Sequence, residues 1–468
     1  MFKLYPEAII VFVLMAASSC TSGEEGEFTD LGHPVYSFNE SLDFEDIDIT
    51  ELAIKGTWLS EGYGYVLDIT KKRSQIYNVS DSSCSFSNKL PTLLEKIKDK
   101  YIVKYESSYQ KLLLRKRGDF NILVFNRIRA LPLSCKSPIT SNKPELNFQI
   151  FWEQLNEHYA FFRSRNVDWN KTYKTFRKKV TEATDNHQLF DIFTQMIMPL
   201  SDSHVSVHNP NRSEWSGKDL SDLDIHLHQL EEIIESDYLT GKVKTSAAGA
   251  LLWGNLEENI GYLRISRMED FGYVRNILGV KRAAGFQALD EGLRKAMSDL
   301  RDKKSIIIDI RRNEGGEDRA SLLIAEYFTG EKKQAFSKKA RNGDAYSPIT
   351  SVYIYPVNSG SYSRPVVLLT SPLTFSAAEI FTMSMMPLPQ VTLIGQNTSG
   401  GFSDVLEKSL PNGWSLNLSN EVYLTANGKS YEGGGIPPNV RTRLPGWKDV
   451  NKRTDITLEK AIQFLSKN

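Results

Sequence analysis

The run Arg364-Pro-Val-Val-Leu-Leu-Thr370 is apolar on both faces that a strand would present, and Ala377-Ala-Glu-Ile-Phe381 then takes up helical spacing. A strand with two apolar faces needs cover on both sides, which predicts a parallel strand inside an α/β sheet rather than a half-solvated antiparallel one. Ser376 stands where strand turns into helix. Such a turn exposes the hydroxyl and aims the first helical N–H groups at one point, where a developing negative oxygen can be held. The same residues also read as a serine N-cap with Glu379 completing a capping box. The turn alone leaves both readings open.

Alternation of strand and helix extends well upstream. Asn259-Ile-Gly-Tyr-Leu-Arg-Ile265 predicts a strand, followed by a long helix to about residue 300, a strand from Ile306 and a helix after Gly316. That is an α/β domain with its functional residues at strand ends. Residues 140 to about 210 predict three helices, the last ending at Leu189-Phe-Asp-Ile-Phe-Thr-Gln-Met-Ile-Met198 before Pro199 and Ser201 break it. Farther upstream, Gly56-Thr-Trp-Leu, Gly64-Tyr-Val-Leu-Asp-Ile, Ser74-Gln-Ile-Tyr-Asn-Val, Tyr101-Ile-Val-Lys-Tyr, Lys111-Leu-Leu-Leu and Asn121-Ile-Leu-Val-Phe are β-rich runs at hairpin spacing. They predict a separate small antiparallel barrel or sandwich. Its Cys84 and Cys135 suit a disulfide in an exported protein, with two buried free thiols as the alternative.

At 468 residues the chain exceeds one ordinary core. The expected division is a targeting segment 1–20, a tether 21–50, a β-rich domain 51–140, a helical subdomain 141–210, a connecting segment 211–257, an α/β domain 258–445 and a C-terminal helix 446–468. Lys3 precedes the apolar run Ala8-Ile-Ile-Val-Phe-Val-Leu-Met-Ala-Ala17, which is short for a bilayer span, and Ser18-Ser-Cys20 follows. This resembles a bacterial lipobox, which implies Cys20 as the lipidated first residue of an exported chain anchored in the cell envelope. No Lys or Arg occurs between Cys20 and Lys55, while Glu24, Glu25, Glu27 and Asp30 open an acidic stretch expected to be a flexible tether. Over the whole chain 57 basic residues balance 57 acidic ones, which gives no case for nucleic acid as a partner. The membrane enters only through the lipid, and composition says nothing of oligomeric state.

Four motifs occur in a telling order: Asp202-Ser-His204, Asp309-Ile-Arg-Arg-Asn-Glu-Gly-Gly316, Thr374-Phe-Ser376-Ala-Ala-Glu379 and Glu432-Gly-Gly-Gly-Ile-Pro-Pro438. Together they resemble the S41 family of serine peptidases, with its tricorn-type and carboxy-terminal-processing branches, over roughly residues 145 to 445. The resemblance implies a ClpP/crotonase-like α/β fold, a peptide or protein substrate, no cofactor and no metal. The processing branch activates its serine with a lysine twenty-five residues downstream, where this chain has Gly401. The tricorn branch uses a histidine preceded by a serine, matched by Ser203-His204, and a glutamate matched by Glu432. Many relatives carry a PDZ module before the α/β domain, whereas residues 211–258 are short for one and lack its loop.

The resulting expectation is a serine-type peptidase with Ser376 as nucleophile and His204 as base, the imidazole titrating near neutrality. Ser203 and Glu432 would orient the ring by hydrogen bonds. Ala377 N–H and one of the glycine pair would form the oxyanion hole, Gly316 before Gly315. A rival base is His208; His158 reads as surface or packing, and Asp309 and Arg311 as scaffold. Asp222, Asp224, His226 and His228 alternate with Leu223, Ile225 and Leu227, predicting a half-buried strand with a wet face rather than a zinc site. Two other functions would use the same scaffold: an esterase or amidase, and an exported peptide-binding lipoprotein without turnover.

Overall fold

The computed structural model describes residues 54–70, 74–87, 101–106, 110–116, 121–272, 281–357 and 360–467, with the backbone of strand β1 (Tyr36–Phe38). The targeting segment with Cys20, and the tether apart from β1, lie outside the described residues. Strands β2 (Gly56–Ser60), β3 (Tyr65–Ile69), β4 (Ser74–Val79), β5 (Cys84–Ser87), β6 (Tyr101–Glu106), β7 (Lys111–Lys116) and β8 (Ile122–Ile128) form one antiparallel sheet in the order β5-β4-β3-β2-β8-β7-β6. Cys84 is disulfide-bonded to Cys135 in the short turn α1 (Leu133–Lys136). The all-β region is as expected, but it is neither a barrel nor a sandwich, nor a separate unit. A sheet must bury its apolar face on a second layer, and here that layer is built mainly from helices, with Leu406, Leu416 and Leu418 from later in the chain adding to it.

Those helices are α2 (Pro144–His158), α3 (Trp169–Phe176) and α4 (Asn186–Ile197), the three foreseen. Trp58, Val66, Ile76, Leu112 and Phe125 of the sheet share one continuous core with Phe148, Phe151, Phe190 and Phe193 of the helices. Phe151 and Phe193 stack at 3.9 Å between ring centroids. Helix α4 starts with a capping box between Asp185 and Gln188, and a 3-10 turn carries it to Leu200. There Ser201, at φ 48°, turns the chain toward His204 and the hairpin β9 (Ser206–Asn209) and β10 (Arg212–Trp215).

The expected strand around Asp222 is instead helix α5 (Ser221–Ile233). Leu223, Leu227, Leu230 and Ile233 are buried at three- and four-residue spacing, whereas Ile225 is exposed. The alternation that suggested a strand coincided with the i, i+4 pair Leu223 and Leu227. Asp224 pairs with Arg312, His228 lies beside Glu231, and His226 packs edge-on against Trp447. Among the described residues no group of acidic, His or Cys side chains is disposed to hold a metal.

The α/β domain follows as β11 (Thr240–Ser246), β12 (Leu251–Asn255), β13 (Ile260–Ile265), α6 (Lys281–Leu300), β14 (Ser305–Asp309), α7 (Asp318–Glu326), β15 (Lys333–Asn342), β16 (Ala345–Tyr346), β17 (Thr350–Ile354), β18 (Val366–Thr370), α8 (Ala377–Met385) and β19 (Val391–Gly395). After it come β20 (Val405–Ser409), β21 (Ser415–Ser419), β22 (Glu421–Thr425), β23 (Val440–Arg441), α9 (Trp447–Lys452) and α10 (Ile456–Leu465). The main sheet runs β11-β12-β13-β14-β18-β19-β23, antiparallel as far as β13 and parallel beyond it. It therefore begins at Thr240, upstream of the boundary drawn at residue 258. β14 and β18 are buried at every position, as their two apolar faces require. A second sheet, β10-β9-β21-β20, lays the hairpin after His204 against the strands that follow the serine segment. This join brings the two ends of the site together.

Candidate active site

Ser376 sits at φ 55°, ψ −123°, a conformation an L-residue adopts only when its surroundings impose it. The preceding loop supplies that force. Ser371 Oγ donates to Arg311 O at 2.5 Å, Thr374 Oγ1 to Ile310 O at 3.0 Å, and Phe375 N to Asn313 O at 3.0 Å. The Ser376 side chain makes no capping bond to α8, so the serine half of the capping-box reading is absent. Glu379 instead turns to the loop beyond β19, where its carboxylate accepts from Gly400 N and Gly401 N, each at 2.7 Å. Burial raises Glu379 to about 7, against the pull of those N–H groups.

Asp309-Ile-Arg-Arg-Asn-Glu-Gly-Gly316 supplies the opposite wall. Asn313 Nδ2 donates to Ile265 O at 2.9 Å and Asn313 Oδ1 accepts from Gly315 N at 2.9 Å, which commits that N–H to the scaffold. Gly315 lies against Ser376: a Cβ there would stand 2.7 Å from Ser376 Cβ and 2.8 Å from Ala377 N. Its φ of 98° is a second reason only glycine fits. The N–H groups of Gly316 and Ala377 make no hydrogen bond among the described residues. Asp309 and Arg311 are scaffold: Arg311 binds Asp309 and also Asp455, which caps α10.

On the other side, His204 Nε2 is 3.2 Å from Ser376 Oγ. The ring is buried, and Phe375 lies against it with centroids 4.5 Å apart. Asp202 Oδ1 accepts from His204 N at 3.0 Å, Asp202 Oδ2 accepts from Tyr159 OH at 3.0 Å, and Ser216 Oγ donates to Asp202 O at 2.8 Å. These bonds fix the turn. Burial holds the imidazole down at about 4; the Asp202 carboxylate opposes this and the Arg165 guanidinium adds to it. The expected titration near neutrality is therefore displaced downward.

The expected orienting relay is not assembled. Ser203 is exposed and its Oγ faces Gly217, where a Cβ would stand 2.5 Å away. Once Asp202 holds the His204 N–H, the intervening side chain points outward. Glu432 is spoken for twice, its Oε1 accepting from Arg165 Nη2 at 2.9 Å and its Oε2 from Phe402 N at 2.8 Å. Burial raises this carboxyl above its usual range, Asp202 pushing the same way and Arg165 opposing. His204 Nδ1 makes no hydrogen bond among the described residues.

The position of the processing branch's lysine is closed. A Cβ on Gly401 would fall 2.3 Å from Phe375 Cε2, the ring that also packs on His204. His208 is occupied elsewhere, its two ring nitrogens meeting Ser206 Oγ at 2.7 Å and Ser213 Oγ at 2.8 Å. His158 is buried packing beside Gly64 and Lys408, not surface. Sequence reasoning passed over Arg165, Tyr159 and Asn313. Asn313 lies inside a quoted motif and its side-chain role could have been read there; Arg165 and Tyr159 carry no local signal.

Residues 259–442 match the model of peptidase family S41, and residues 141–198 match that of the tricorn protease C1 domain. The carboxy-terminal processing protease CtpA of Bacillus subtilis (strain 168) is 27% identical over 31% of this chain and 30% of its own length. The chloroplastic carboxyl-terminal-processing peptidase 1 of Arabidopsis thaliana is 25% identical over 42% of this chain and 36% of its own. The chain thus aligns with about a third of the length of these curated relatives. A solved structure of a candidate peptidase from Parabacteroides merdae ATCC 43184 is 26% identical with a TM-score of 0.60, covering 69% of this chain and 97% of that one.

Proposed function

We propose that this chain, whose residues 259–442 match peptidase family S41, is a serine peptidase acting on peptide or protein substrates through an acyl-enzyme, with Ser376 as nucleophile and His204 as general base. The observation that carries this is the 3.2 Å approach of His204 Nε2 to Ser376 Oγ across two separate sheets. Nε2 takes the hydroxyl proton as Oγ attacks the scissile carbonyl carbon, and returns it to the leaving amine as the tetrahedral adduct collapses. Water, deprotonated by the same nitrogen, then releases the acyl group. The ring must carry its own proton on Nδ1 for Nε2 to accept.

The carbonyl oxygen gains charge during attack, and the unpaired N–H groups of Gly316 and Ala377 are the donors that receive it. Gly315 serves differently. Its N–H is bound to Asn313, and its missing side chain leaves room for the serine. We further propose export and lipidation at Cys20, supported by the Ala-Ala-Ser-Ser-Cys20 boundary. No described helix is long and apolar enough to cross a membrane.

The test of the reading is active-site labelling with a fluorophosphonate followed by a casein digest. Labelling confined to Ser376 with cleavage of casein is the expected result; an unlabelled, folded protein refutes it. Labelled protein that hydrolyses an ester but no peptide would identify an esterase.

A further inference from the structure

We propose that Arg165 is a positioning residue of this site, joining the turn that carries the base to the loop braced on the nucleophile's helix. The proposal rests on the Ser376 and His204 reading. Arg165 lies just after α2, and its side chain is nine-tenths shielded from solvent. Its Nη1 donates to Leu200 O at 3.1 Å and Ser201 O at 2.5 Å. Its Nη2 donates to Glu432 Oε1 at 2.9 Å, reaches Gly400 O at 3.5 Å, and stands 3.4 Å from Asp202 Oδ2. One planar fork thus ties together segments around residues 200, 400 and 432.

Three of these contacts lead on toward the reacting groups. Asp202 Oδ1 holds the backbone N–H of His204. Gly400 N and Gly401 N bind Glu379 in the first turn of the helix headed by Ser376. Glu432 Oε2 holds Phe402 N, next to the Gly401 that packs against Phe375. The 3.2 Å between Ser376 and His204 spans two sheets, and Arg165 touches the supports of both. A lysine offers a point charge where five contacts need donors in a plane, so the geometry selects arginine.

The charges around it make the role observable. Asp202, Glu432, Tyr159 and, behind them, Glu379 are the titratable groups packed about the guanidinium and the base. Arg165 disfavours the protonated imidazole, so its removal should let His204 bind a proton at higher pH. A residue that only held the fold together would not move that limb in this direction.

The experiment uses the full chain and measures the rate of fluorophosphonate acylation against pH for wild type, Arg165→Gln and Arg165→Lys, with thermal melting as the control for folding. Arg165→Gln should slow acylation at neutral pH by about 10²-fold through misplacement of the couple. Its acidic limb should shift upward, and millimolar guanidinium should restore part of the rate. Arg165→Lys should keep the wild-type limb while remaining slower than wild type. A folded Arg165→Gln that acylates at the wild-type rate overturns the proposal. If that variant does not fold, Arg165→Lys decides, and its acylating at the full wild-type rate overturns the proposal as well. Wild type that is never labelled refutes the catalytic reading itself, and this inference falls with it.

Discussion

The two halves of the site are built by different means. On the Ser376 side, position is imposed by backbone: Ser376 and Gly315 both sit at positive φ, and no Cβ fits at Gly315 or Gly401. On the His204 side, position comes from side chains on distant segments, with Tyr159, Arg165, Asp202 and Glu432 meeting around one turn. Backbone constraint tolerates few residue types, whereas a side-chain network can be assembled from many sources. The first should fail abruptly under substitution and the second by degrees.

The largest effects should ignore this division, because the proposed mechanism needs both Ser376 and His204. Ser376→Ala and His204→Ala should each lower kcat by on the order of 10⁴ or more, and the double mutant should lose little beyond either. A steady-state assay on casein checks this, and near-normal hydrolysis by His204→Ala would break the couple. Next comes Gly315→Ala. A methyl 2.7 Å from Ser376 Cβ, on a residue at φ 98°, must displace either the serine or the glycine loop. A loss of roughly 10²- to 10³-fold in kcat is expected, similar to losing an oxyanion donor. Gly285→Ala, in helix α6 with open space around it, should leave the rate unchanged.

The same contrast explains what could be read from the amino-acid sequence. Gly315, Gly316, Ser376 and the apolar strands before them were legible because backbone geometry and two-sided burial dictate residue type locally. The His204 turn was legible as a motif, but its orientation was not. Whether Ser203 faces the ring depends on which acceptor holds the His204 N–H, and Asp202 does. Arg165 was illegible because its partners lie 35 to 267 positions away and nothing near it is periodic. The α5 segment failed for a different reason: over five residues, strand alternation and one helical i, i+4 pair look alike.

Two smaller effects sharpen the comparison. The base must be neutral to accept a proton, so activity is full above its pKa and lost as pH falls through it. With His204 held down at about 4, kcat/KM at pH 6 should remain close to its value at pH 8. An ordinary histidine would already have cost roughly a four-fold loss at pH 6. A pH–rate profile with its acidic limb near 6.5 would show that the imidazole is better solvated than its burial implies. The smallest effect should be Ser203→Ala, within about two-fold of wild type, since an exposed hydroxyl without a bond to the ring has little to lose. A large loss there, measured on folded protein, would mean that the turn rearranges when substrate binds.

The core beneath the N-terminal sheet has a consequence for the order of events during synthesis. Leu406, Leu410, Trp414, Leu416 and Leu418 belong to it, together with the sheet and the helices that lead to His204. A chain still growing on the ribosome cannot close that core until residue 418 has emerged, by which time Ser376 is already out. The core that supports the His204 turn is therefore completed only after both His204 and Ser376 have been made.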